Sequence, residues 1–202
     1  MTYLNKSVII IDNSDLSYSG EDINGTVVRG TETSLILLSE QFIRMGINVD
    51  YCNTIQKKNK VNGVNYFNKN DIIKKKQYDL AIAISDANEF RRVSSLKKAV
   101  FSNSNQPIEK FIRKKQIFPF FKFKPTLITL CDYQYKKRSF FTSFYGKKTI
   151  PITVDPKFLN IEVDQNFLPE KKVVYNIRSN RNLDRLIKIW CDKIFPFSED
   201  FK

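Results

Sequence analysis

The sequence predicts an α/β fold in which a parallel sheet is flanked by helices. Three observations carry that expectation. Ser7 to Asp12 is a short apolar run that ends on a carboxylate. Leu35, Leu38, Phe42 and Met45 recur at helical spacing, widened by Ile36 and Ile43, before Gly46 stops the helix. Tyr78 to Ser85 is a continuous apolar run, as expected of a strand buried on both faces of a parallel sheet.

The first unit opens with the Ser7–Asp12 strand. A polar loop follows from Asn13 to Arg29, with Gly20 and Gly25 as breakers. Gly30-Thr31-Glu32-Thr33 leads into the helix, and Ile47 to Tyr51 alternates as a second strand. Strand, long loop, helix and strand make one βαβ unit. The first amides of a helix have no intrahelical acceptor and carry the positive end of its dipole. A glycine there lets a ligand approach the backbone closely. Gly30 and Thr31 are therefore a candidate phosphate seat. The other reading is a plain helix start, with Thr31 or Thr33 as cap and Gly30 as turn.

Downstream, Thr54 to Gly63 reads as a lysine-rich surface loop and Val64 to Phe67 as a short strand. Asn68 to Lys76 reads as a short helix capped by Asn68 or Asn70. After the Tyr78–Ser85 strand, Asp86 to Leu96 reads as a short helix and Ala99 to Ser102 as a short strand. A turn from Asn103 to Pro107 precedes a helix from Ile108 to Lys115. Ile117 to Pro125 interleaves phenylalanines with lysines. Either the rings pack inward and the lysines stay wet, or the segment meets an anionic membrane surface or stacks on a single-stranded nucleic acid. Thr126 to Cys131 reads as a strand, and Asp132 as the N-cap of a helix from Tyr133 to Phe144. Asn160 to Lys171, with Pro169, reads as a linker. Lys172 to Tyr175 starts a new strand, and Asn180 to Trp190 forms a helix striped by Leu183, Leu186, Ile187 and Trp190.

The chain has 202 residues, 42% apolar and 27% charged, enough for a substantial core. Nothing approaches about 18 consecutive apolar residues, so no membrane span is expected. Asp12 cuts the first apolar run short, which does not match a signal peptide, and cytoplasm is the default location. Cys52, Cys131 and Cys191 are odd in number and far apart, so buried thiols are expected rather than disulfides or zinc. There is no histidine, which removes the commonest general base and the commonest metal ligand. No bound metal and no cofactor are expected.

Net charge is +13, and it is unevenly placed. Asn105 to Lys148 holds eleven Lys or Arg against two acids, nine of the thirteen net positive charges. That surface suits phosphate, nucleic acid or an acidic lipid face. The excess of Lys, Asn, Ile and Phe is also what AT-rich coding yields without selection for binding.

Several stretches carry a resemblance. Arg29-Gly30-Thr31-Glu32-Thr33, the helix, and Arg44-Met45-Gly46-Ile47-Asn48-Val49 resemble the opening of family 4 glycosyltransferases, with Arg29 in place of the first of two glycines. Ile150-Pro151-Ile152-Thr153-Val154-Asp155-Pro156-Lys157-Phe158 resembles the family's exit from its N-terminal domain. Arg181-Asn182-Leu183-Asp184-Arg185-Leu186-Ile187 resembles the first helix of its C-terminal domain. The resemblance implies a GT-B architecture of two Rossmann-like domains. It would give an acceptor-side domain over residues 1–158, a linker over 159–171 and the start of a nucleotide-sugar domain over 172–202. At about 150 residues per domain the chain would be half of such an enzyme, and truncation is the expectation.

The family moves a sugar from a nucleotide-sugar donor to a cell-surface polysaccharide or a lipid-linked acceptor, with retention and without a metal. By resemblance, Gly30, Thr31, Arg178 and Arg181 would hold the donor diphosphate. Arg29, Glu32, Ser104 and Asn105 would support the loops, with Ser104 where the family places a histidine and Asn105 beside it. The family's pair of glutamates, seven residues apart, belongs late in the second domain. Glu32/Glu40 and Glu162/Glu170 match only its spacing. The Phe/Lys run and the basic stretch add a peripheral place at the inner face of a membrane to the cytoplasmic expectation. The alternative function is a non-catalytic basic module on an anionic membrane or on nucleic acid, with nucleic acid the less expected partner. A phosphate-loop protein is set aside: Gly25-x-x-x-x-Gly30-Thr31 lacks the lysine and follows its strand too late.

Overall fold

The computed structural model describes residues 5–24, 28–72, 76–104, 107–151 and 183–197. The chain divides into two compact units, Met1–Asp155 and Pro156–Lys202.

Among the described residues of the first unit, eight strands form one sheet. They are β1 (Ser7–Ile11), β2 (Asn48–Asn53), β3 (Asn59–Val61), β4 (Val64–Asn68), β5 (Gln77–Ile84), β6 (Ser94–Ser102), β7 (Thr126–Thr129) and β8 (Lys147–Thr149). Their order is β3-β4-β2-β1-β5-β6-β7-β8. Only the β3–β4 pair is antiparallel. The fold is the Rossmann-like α/β sheet that the apolar runs predict. From β1 the chain builds outward to β2 and β4, then returns to place β5 on the other side of β1. Strand order therefore reverses between β1 and β5.

Period-two alternation sorts the core into two layers. On one face Val8, Ile10, Val49, Tyr51, Tyr66 and Ile82 pack with Leu35 and Ile36 of α1 (Gly30–Arg44). On the other, Ile9, Ile11, Cys52, Ala81, Ala83 and Leu127 pack with Phe111 of α2 (Ile108–Arg113) and Phe120 of α3 (Ile117–Phe123). Phe141 joins the second layer.

Several local expectations are corrected. The loop from Thr54 to Gly63 contains β3, which forms a hairpin with β4 through Asn62 (φ 47°) and Gly63 (φ 87°). Both central residues are left-handed, the geometry that Asn-Gly favours in two-residue hairpins. Asn68 does act as a cap, accepting from the Asn70 amide, but of a 3-10 turn, Lys69–Asp71, rather than a helix. Asp86 likewise caps only a 3-10 turn, Ala87–Arg91. The strand after it begins at Ser94, not Ala99, because polar residues from Ser94 pair with β5 from Gln77 onward. The helix expected from Tyr133 to Phe144 is α4 (Asp132–Lys136) plus a 3-10 turn, Phe140–Ser143. Extended Ser139 separates them and lets Phe141 and Thr142 turn into the core. Cys131, not Asp132, is the N-cap residue of α4, and no side chain caps it. Of the cysteines only Cys52 is buried; Cys131 and Cys191 are exposed.

In the second unit the described residues are α5 (Leu183–Ile189), a π turn Trp190–Ile194 and a 3-10 turn Phe195–Phe197. Leu183, Leu186 and Trp190 are half-buried and Ile187 is exposed. The expected linker and the strand from Lys172 lie outside the described residues. No described helix is long and apolar enough to cross a membrane.

Candidate functional site

In an open α/β sheet, ligands settle beyond the carboxyl ends of the strands where strand order reverses. Here that place is the crevice beyond β1 and β5, and a cavity of 310 Å³ lies there. Asp12, Asn13 and Ser14 follow β1 along its wall; Ser85 and Asp86 follow β5; Asn103 follows β6. Arg29, Thr31 and Glu32 come from the start of α1, and Lys110 and Lys114 from α2 and the residue that ends it.

Asp12 is fixed rather than free. Its amide donates to the Cys52 carbonyl at 2.9 Å, extending the sheet by one bond. Its Oδ1 accepts from the Ser14 amide at 3.0 Å. Its Oδ2 accepts from Ser14 Oγ at 2.7 Å and from the Tyr18 hydroxyl at 2.6 Å. The Tyr18 and Tyr51 hydroxyls are 2.5 Å apart. Burial, then the charges of Tyr51 and Asp12, pushes the Tyr18 phenol far above the usual range, so it stays a donor.

The tip of α1 is open. Arg29 is the N-cap residue, and its side chain makes no capping bond. Ser34 Oγ donates back to the Gly30 carbonyl at 2.8 Å, which leaves the leading amides unused by it. Gly30 is exposed, and a Cβ built on it would meet nothing within 4 Å. Its backbone is ordinary, so the glycine serves access rather than conformation. Glu32 is buried, 6% exposed, and its Oε2 has no hydrogen-bond partner among the described residues.

Beyond β6, Asn103 spans the cavity: its Nδ2 donates to Thr31 Oγ1 at 3.4 Å, and its Oδ1 accepts from Ser85 Oγ at 2.8 Å. Ser85 carries φ 56°, a strained value for a non-glycine residue at the end of β5. Ser104 Oγ accepts from Lys110 Nζ at 2.7 Å. Lys110 also lines a neighbouring cavity of 480 Å³ with Ser104 and Arg113. Burial, with the charges of Lys114 and Arg113, holds the Lys110 ammonium below the usual lysine range.

Of the residues named from sequence, Arg29, Thr31 and Glu32 share one cavity, Gly30 sits between two of its wall residues, and Ser104 reaches it through Lys110. Asn105, Arg178 and Arg181 lie outside the described residues. Lys110, Lys114, Asp86 and Asn103 join the site only in the fold. In the sequence the two lysines stand out only as bulk charge, and the one signal of Asp86 and Asn103 is that they follow apolar strands. Among the described residues, no group of three or more His, Cys, Asp or Glu side chains is placed to hold a metal ion. No family model, curated protein or solved structure matches the chain.

Proposed function

We propose that this chain is the acceptor-side half of a retaining glycosyltransferase, moving a sugar from a nucleotide-sugar donor to a cell-surface polysaccharide or lipid-linked acceptor. The observation that carries the reading is the uncapped tip of α1 opening onto the crevice between β1 and β5. A diphosphate seated there would meet the first amides of the helix, the helix dipole, and the cations Arg29, Lys110 and Lys114. Glu32 Oε2 supplies a buried acceptor with no donor among the described residues, which a hydroxyl of the donor's sugar would provide.

In this reading the leaving nucleotide is neutralised as the glycosidic bond to phosphate breaks, and the stabilisation is electrostatic. Arg178 and Arg181 are donor-diphosphate residues by the sequence resemblance alone. The chain would then work at the inner face of a membrane, where lipid-linked acceptors are held.

The test is calorimetric titration of the 202-residue chain with uridine and guanosine diphosphates, with and without the attached sugar. Binding that Lys110→Ala weakens by about tenfold supports the reading, since a charge-assisted contact is worth about 1.5–3 kcal/mol. Binding indifferent to Lys110 and Arg29, or no binding, removes the crevice as a donor site.

A further inference from the structure

The strongest feature outside the crevice is a cluster of exposed phenylalanines. Phe118 and Phe121 lie one turn apart on α3, 67% and 41% exposed. Phe140 and Phe144 lie on the 3-10 turn after α4 and at its end, 76% and 57% exposed. The Phe121 and Phe144 rings are 6.4 Å apart, and those of Phe140 and Phe144 5.7 Å. Phe141 beneath them is buried and stacks on Phe121 at 5.8 Å. Two separate segments therefore build one apolar knob on a buried base, and only half of it comes from the Phe/Lys run. The other rings of that run, Phe120 and Phe123, turn inward.

Two lysines border the knob. Lys122 Nζ lies 6.0 Å from the Phe118 ring centre and 5.5 Å from that of Phe123. Lys124 Nζ lies 5.9 Å from the ring centre of Tyr145, whose ring is 6.4 Å from Phe121. Residues 117–148, which carry these rings, hold seven Lys or Arg against one acid.

We propose that Phe118, Phe121, Phe140 and Phe144 form an insertion surface for an anionic lipid bilayer. The rings enter the interface, and the lysines remain at headgroup level, their alkyl stems beside the rings. Charge complementarity favours this occupant over a second copy of the chain, because joining two such patches would bring like charges together. The ring geometry favours it over a single-stranded nucleic acid. Stacking platforms need open ring faces. Here one face of Phe121 is covered by Phe141, and Phe140 and Phe144 meet edge to face. The surface does not depend on what the crevice binds.

The experiment is vesicle flotation of the 202-residue chain without nucleotide. Mixed phosphatidylglycerol–phosphatidylcholine vesicles should carry the protein, and pure phosphatidylcholine vesicles should not. Raising salt from about 0.1 M to about 0.5 M should release most of it. Phe140→Ser with Phe144→Ser should lower the partition about tenfold or more, with the thermal unfolding midpoint preserved. Lys122→Glu should act in the same direction and give a second variant that leaves the rings in place. No vesicle binding overturns the proposal, as does binding that the phenylalanine pair does not change. It is equally overturned if the pair instead abolishes binding of a single-stranded oligonucleotide, or self-association on sedimentation, with vesicle binding unaltered.

Discussion

The Tyr18 hydroxyl donates to Asp12 Oδ2 at 2.6 Å while standing 2.5 Å from the Tyr51 hydroxyl. This buried bond ties the loop after β1 to the carboxylate that follows that strand and to the neighbouring strand β2. Asn53 strengthens the tie, since its Nδ2 donates to the Tyr18 carbonyl at 2.8 Å. Tyr18→Phe keeps the ring packing and removes the donor, so the buried Asp12 carboxyl is left with one bond fewer. The variant should lose about 1–3 kcal/mol of unfolding free energy in a denaturant titration.

Gly30 and Gly63 should respond oppositely to alanine. At Gly63 the backbone is left-handed, and a Cβ would come within 2.8 Å of Ile43 Cγ2. Gly63→Ala should cost about 1–3 kcal/mol in the same titration. At Gly30 the backbone is ordinary and the space open, so Gly30→Ala should leave stability within about 1 kcal/mol or raise it. If a phosphate approaches that tip, Gly30→Ala should still weaken nucleoside diphosphate binding, as read by calorimetry.

Glu32 offers a test that separates folding from binding. Its buried Oε2 has no partner among the described residues, so folding leaves that oxygen without a donor from them. Glu32→Gln removes the charge at nearly constant shape and should raise the unfolding free energy by about 1 kcal/mol. The same change should weaken a sugar nucleotide more than the bare nucleoside diphosphate, because only the former brings extra hydroxyls.

Asp50 sets a pH dependence of known sign. Burial raises its pKa, but bonds from Lys76 and Tyr78, each at 2.6 Å, and Asn65 at 2.9 Å outweigh this and hold the carboxyl below its usual value. A lowered folded-state pKa stabilises above the unfolded value of about 3.9, and that stability is lost as pH falls through the folded value. The stability difference between wild type and Asp50→Asn should be constant near neutrality and shrink below about pH 4, as read by thermal melts.

The sheet was legible because its central strands are long apolar runs, and Ile9 to Ile11 or Ala81 to Ile84 can be satisfied only by burial on both faces. The first half of β6 was not legible. Ser94 to Lys98 is polar, and only pairing with β5 makes it a strand. The β3–β4 hairpin did announce itself in Asn62-Gly63, a turn signal stronger than the lysines around it. At the crevice, the tip of α1 was readable from Gly30 and Thr31, since helix starts follow local rules. Lys110 was one lysine among eleven cations in its stretch until α2 set it against Ser104.

By itself the sequence determined the α/β class, the parallel core and the helix whose tip stands at the crevice. Each follows from periodicity and burial, which act within a few residues. Only the tertiary structure decided that Asn103 reaches Thr31 and that Phe140 and Phe144 share a surface with Phe121. These contacts join segments distant in sequence, and the packing that brings them together is set by the whole sheet rather than by any local rule.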